Sequence, residues 1–107
     1  MTKQTKTWKA TERKVCRAWG GDRRGPDHSV SRSDGDDRVP VSIEVTRTTR
    51  PAYTWRVKWR QCTRNAGQDG KAPVLVIAEP RQRLDQMTAV VNHGWLLDVC
   101  RTAGIIE

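Results

Sequence analysis

The sequence predicts an α/β (α+β) domain in which a mixed central sheet is flanked by helices, in the order α-β-β-α-β-β-α. Three observations carry this. Apolar residues recur at helical spacing near both ends and in the middle of the chain, residues 41–47 alternate apolar and polar, and Val74 to Ala78 is an unbroken apolar run. At 107 residues the chain fits one domain, spanning 1–107, with the polar residues 1–6 expected to be disordered.

Trp8, Val15, Cys16 and Trp19 share one helical face and Gly20-Gly21 supplies a stop, so 8–19 reads as the first helix. Glu12 sits in the centre of that stripe, where a carboxylate needs a cationic partner. Val41, Ile43 and Val45 form one face of a half-buried strand over 41–47, and Ser42, Glu44 and Thr46 the other. Asp34-Gly35-Asp36-Asp37 is turn chemistry, which makes 27–33 the expected partner strand of a hairpin. A turn centred on Gly35-Asp36 sets Asp27 opposite Glu44, and one centred on Asp34-Gly35 sets it one diagonal step away. A shorter hairpin turning at Pro40-Val41 pairs Asp37 with Glu44 instead. Either way two carboxylates approach each other and must share a proton or a cation.

Residues 52–66 carry both a helical stripe (Ala52, Trp55, Trp59, Cys62, Ala66) and a strand-like alternation over Tyr53, Trp55, Val57 and Trp59. Length, and the Gly67 to Gly70 stop, favour helix. Residues 73–79 read as a strand covered on both faces, 87–91 as a last strand, and Asn92 as the cap of a final helix whose core stripe is Trp95, Leu96, Val99, Cys100 and Ala103.

Lys+Arg number 20 against 12 Asp+Glu, for a formal charge of +8 and a pI near 10.1, so a polyanionic partner, nucleic acid before membrane, is expected. The charge is blocked: Lys3 to Arg24 is basic, Asp27 to Glu44 is acidic, and Arg47, Arg50, Arg56, Lys58 and Arg60 follow with no acid among them. An acidic island between basic blocks is either a solvated loop or a cation site within a phosphate-binding surface. Arg23, Arg24, Arg47 and Arg50 are the candidate phosphate contacts. No apolar run approaches a membrane span, and no secretory segment is visible, so a cytoplasmic protein is expected. Cys16, Cys62 and Cys100 form no CxxC pair and read as small buried apolar groups. No zinc spacing, Gly-rich phosphate loop or Ser-His-Asp order is present.

Glu12 on a first helix, Pro26-Asp27 opening a strand, Glu44-Val45-Thr46 on the next, Gln61 on the following helix and Gly70 to Ile77 leading into a buried strand form an ordered set. This order resembles the PD-(D/E)XK nuclease superfamily, in particular its Holliday junction resolvase-like phage members, over about residues 8 to 100. The resemblance implies a restriction-endonuclease-like fold and a DNA endonuclease dependent on Mg²⁺ or Mn²⁺. It also implies that Asp27, Glu44 and the Val45 carbonyl hold the metal, that Glu12 contributes to the metal's surroundings or orients water, and that the protein acts as a homodimer. The family's lysine is replaced here by Thr46. Either the lysine's role has moved to Lys58, three residues before Gln61 on one helix face, or catalysis is lost and the fold serves as a DNA- or protein-binding module.

Overall fold

The computed structural model describes residues 3–25 and 33–107. Helix α1 (Lys3–Ala18) is followed, after an irregular segment, by strand β1 (Ser42–Arg47), helix α2 (Pro51–Asp69) and strand β2 (Pro73–Ala78). A 3₁₀ turn (Leu84–Gln86), strand β3 (Thr88–Val90) and helix α3 (His93–Thr102) complete it. The described residues thus form an α+β unit with a three-stranded mixed sheet in the order β1-β2-β3.

β1 and β2 are parallel, with Glu44 opposite Leu75, and α2 is the crossover that a parallel pair requires. β3 pairs antiparallel with β2, Ala89 opposite Val76. The alternation of β1 divides the core. Ile43 and Val45 pack with Val74, Val76, Val15 and Cys16 under α1. Leu75 and Ile77 pack with Cys62, Trp55 and Trp59 under α2, the face that also receives Ser42, Glu44 and Thr46. α2 is helix throughout 51–69, so the helical reading prevails over the strand-like alternation. Pro51 begins it, where a missing N–H costs nothing, and Gly70 in the left-handed conformation (φ 67°) ends it.

Three expectations need correction. The first helix begins at Lys3 rather than at Trp8, since Lys3 to Thr7 holds no helix breaker. The predicted strand 27–33 lies almost wholly outside the described residues, but the turn drawn for it does not hold. The Asp34 N–H donates to the Ile43 carbonyl (2.8 Å), and its own carbonyl accepts from the Arg24 N–H (2.8 Å). Arg23 and Gly35 form an antiparallel bridge, and the chain turns later, through Asp36 to Val39. Residue 34 therefore lies along the β1 edge instead of capping a hairpin. Gly35 permits the tight turn that follows, because a Cβ there would stand 2.8 Å from Val39 Cγ2.

The third correction is at α3, where Asn92 takes the N-cap position without a side-chain cap bond and no helix residue is buried. Only Trp95 packs against the α1-side core, and Leu96 and Val99 stay exposed. β3 is three residues long and largely open, leaving too little sheet to bury a ten-residue helix.

Candidate functional site

The most unusual chemistry in the fold lies at the β1 edge. Glu44 points from mid-strand toward α2, is buried to 7% exposure, and accepts a hydrogen bond from Asn65 Nδ2 (2.8 Å). Asp34, held beside the strand by its backbone bond to Ile43, accepts the Val45 N–H on Oδ2 (2.8 Å), and its carboxyl is hydrogen-bonded to that of Glu44. Two carboxyls in such contact repel each other when both are ionised, which a shared proton or a cation relieves. Burial, then the charge of Glu44, pushes Asp34 up to about 8 from its ordinary 3.8. Glu44 is also raised, by burial first, with the Asp34 and Asn65 hydrogen bonds and the charge of Lys58 acting against the shift.

Glu12 approaches from α1. It is 6% exposed, and its Oε2 accepts from Arg23 Nε at 2.8 Å. Burial and the charge of Asp34 raise its carboxyl, against the pull of Arg23 and a hydrogen bond from Trp8. The anomaly in the apolar stripe is thus an internal ion pair beside the Asp34–Glu44 pair.

Asp27, expected opposite Glu44, lies outside the described residues. The other candidate, Asp37, does not reach Glu44: it is exposed and pairs with Arg24 (3.3 Å). The position beside Glu44 belongs to Asp34, which turn chemistry hid, because an Asp before Gly reads first as a turn residue. Asn65 was missed as well, although a signal existed: a polar residue three after Cys62 and one before Ala66, on the edge of a buried stripe.

Lys58 is half-buried and close enough for its charge to act on Glu44, whereas Gln61, one helical step off that face, is exposed. Lys58, Cys62 and Asn65 form the stripe facing β1, which follows from their i, i+4, i+7 spacing. Thr46 is 3% exposed on the Glu44 face and brings no charge to it. Val45 offers its N–H to Asp34. Its carbonyl opens on the same edge, since N–H and C=O of one strand residue point the same way.

The four arginines differ. Arg23 is committed to Glu12, and Arg24 donates to Asp37 and to the Ser33 carbonyl with only 14% of its side chain exposed. These two brace the loop that carries Asp34, and are not presented as free phosphate contacts. Arg50 is exposed just before α2, and Arg47 points to the α1 face of the sheet into a cavity. Cys16 and Cys62 are buried, and burial pushes both thiols up to about 12, which leaves them unreactive at neutral pH.

Among the described residues no three His, Cys, Asp or Glu side chains gather as a metal cluster. The donor set on the β1 edge is smaller: the Asp34 and Glu44 carboxyls, with the Val45 carbonyl beside them. It nevertheless fits a hard cation such as Mg²⁺, which takes one or two carboxylates and fills its remaining positions with water and substrate phosphate. Two carboxyls held this close repel each other when ionised, a repulsion that a cation would relieve.

No protein-family model matches the chain, no curated protein matches it, and no solved structure matches it. Among the described residues no helix is long and apolar enough to cross a membrane.

The raised Asp34 carboxyl has a measurable consequence. Folding raises Asp34 above its unfolded value, so the stability contributed by the pair is full below about pH 4 and is lost as pH rises through about 8. Without divalent ions, the melting temperature of the wild type should fall between pH 6 and pH 9. Asp34→Asn should flatten this decline and melt higher at pH 8.5 by roughly 4–8 °C, the shift that about 1 kcal/mol produces in a domain of this size. Identical thermal profiles for the two proteins would overturn the raised Asp34 carboxyl.

Proposed function

We propose that the protein is a divalent-metal-dependent DNA endonuclease with a PD-(D/E)XK-type, restriction-endonuclease-like core, acting on branched or duplex DNA. The observation that carries this reading is the contact of Asp34 and Glu44 at a strand edge, beside the buried Glu12 and within reach of the Lys58 charge. The α1-β1-α2-β2 order with parallel β1 and β2 supports it, as does the net charge of +8. In this reading Asp34 takes the role that the sequence assigned to Asp27. A homodimer, called for when two strands of a junction are cut, belongs to the same proposal.

Asp34, Glu44 and the Val45 carbonyl would hold Mg²⁺ or Mn²⁺. When bound, such an ion supplies Lewis acidity toward a phosphodiester oxygen and lowers the pKa of water. The chain's own residues do the rest. The Val45 N–H and the Asn65 amide fix the two carboxylates in orientation, a positioning role that commonly weighs 10- to 100-fold in affinity or activity. Glu12, tied to Arg23, keeps further negative charge beside the pair. Lys58 brings a cation to the Glu44 side, where charge develops on phosphate. Gln61, exposed on the next helical step, contacts DNA if the strand passes along α2.

One observation favours a second reading, a noncatalytic DNA- or protein-binding module: Thr46, buried where the family carries lysine, provides no cation. A titration separates the two. Mg²⁺ or Mn²⁺ at millimolar concentration should raise the melting temperature, more at pH 8.5 than at pH 6, because protons compete for the same carboxyls. The same ions should start cleavage of branched or linear DNA. Stabilisation without cleavage favours the module, and neither effect rejects the metal site.

A further inference from the structure

A second site lies on the opposite face of the sheet from Glu44. Lys14 and Thr11 of α1, Arg47 at the end of β1, and Arg81 and Gln82 after β2 line a cavity of about 200 Å³. It sits beyond the carboxyl ends of two parallel strands, the end at which open α/β sheets bind ligands. Lys14, Arg47 and Arg81 make no ion pair or side-chain hydrogen bond with another described residue. Three cations converge there against one carboxylate in the lining, Glu79.

Arg81 is also conformationally out of place. The Gln82 N–H donates to the Glu79 carbonyl (3.1 Å), closing a turn with Pro80 and Arg81 at its centre. Arg81 has φ 63° and is the single non-glycine residue with positive φ among those described. That turn position ordinarily goes to glycine or asparagine. An arginine held there carries backbone strain with no side-chain bond to another described residue to compensate, as functional positions do.

We propose that this cavity binds a phosphomonoester dianion through Lys14, Arg47 and Arg81. Three cations against Glu79 leave two positive charges, which match a terminal phosphate (close to −2 at neutral pH) better than a singly charged backbone diester. The dianion comes either from the end of a nucleic-acid strand, a source that rests on the nuclease reading above, or from a free phosphate compound.

The test is metal-free, so it stands apart from cleavage. Inorganic phosphate, titrated calorimetrically at low chloride, should bind the wild type. Arg81→Gly and Arg47→Gln should each weaken binding about tenfold or more, the loss expected from one charge-assisted contact. Arg81→Gly should melt no lower than wild type, because glycine relieves the positive φ, so lost binding cannot be attributed to unfolding. Oligonucleotides with and without a terminal phosphate then identify the source. Tighter binding of the phosphorylated strand, lost in Arg81→Gly, assigns the strand end. Equal binding of the two strands, with Arg81-dependent binding of inorganic phosphate, assigns the free compound. No phosphate binding, or binding unchanged in Arg81→Gly, overturns the site whether or not the protein cleaves DNA. Absence of metal-dependent cleavage rejects the nuclease and leaves the phosphate result standing.

Discussion

Glu44→Gln should reduce metal-dependent DNA cleavage by about 10³-fold or more, the largest effect expected of any single substitution, since a lost catalytic contact alone typically removes 10²–10³. The amide is isosteric with the carboxyl and can still accept the Asn65 hydrogen bond, so packing at the β1 edge is retained. What disappears is the charge that attracts a cation. The variant should therefore fold and melt at or above wild type without metal, because a buried carboxyl has been neutralised, and its melting temperature should no longer respond to Mg²⁺. Asp34→Asn should behave in parallel. Cleavage within tenfold of wild type in Glu44→Gln would move the active centre elsewhere.

Lys58→Ala should lower kcat by roughly 10²–10³ while leaving the Mg²⁺-induced rise in melting temperature nearly intact. The reasoning is electrostatic. Lys58 on α2 acts on Glu44, and the strand position at which the resemblance to PD-(D/E)XK nucleases would call for lysine is the neutral, buried Thr46. Thr46 and Glu44 share a face of β1, so a lysine introduced at 46 would arise beside the same carboxylate. Thr46→Lys in the Lys58→Ala background should accordingly recover part of the activity. If wild type cleaves and Lys58→Ala cleaves equally well, the cation is not needed and the relocation is rejected. If wild type is silent with every divalent ion while Thr46→Lys alone acquires activity, the protein is a retired nuclease.

Two of the residues that matter most at the β1 edge escaped the sequence for different reasons. Asp34 precedes a glycine in an Asp-rich stretch, and local turn chemistry describes that stretch correctly as a loop. Its approach to Glu44 depends on a backbone bond to Ile43 nine residues later, which no local pattern encodes. Asn65 lay on a legible helix, but its partner sits across a gap that only packing closes. Arg23 and Arg24 read as free cations from charge alone, whereas the fold spends them on Glu12 and Asp37.

What the sequence by itself determined is whatever rests on period and composition. That includes the three helices, strands β1 and β2, the place of Glu12 within an apolar stripe, and the basic character of the whole. These follow from side chains a few residues apart on one element, where spacing dictates which face they share. Glu44, by contrast, reads as the middle of a strand's polar face and is buried only by the packing of α2. Only the tertiary structure decided which carboxylate meets Glu44, which arginines are already paired, and that Lys14, Arg47 and Arg81 line one cavity. It also left the α3 stripe uncovered, because the sheet beside it ends in a three-residue strand. Contacts between residues distant along the chain are set by register and loop path, and a single sequence specifies those through the free energy of the whole fold rather than through any local pattern.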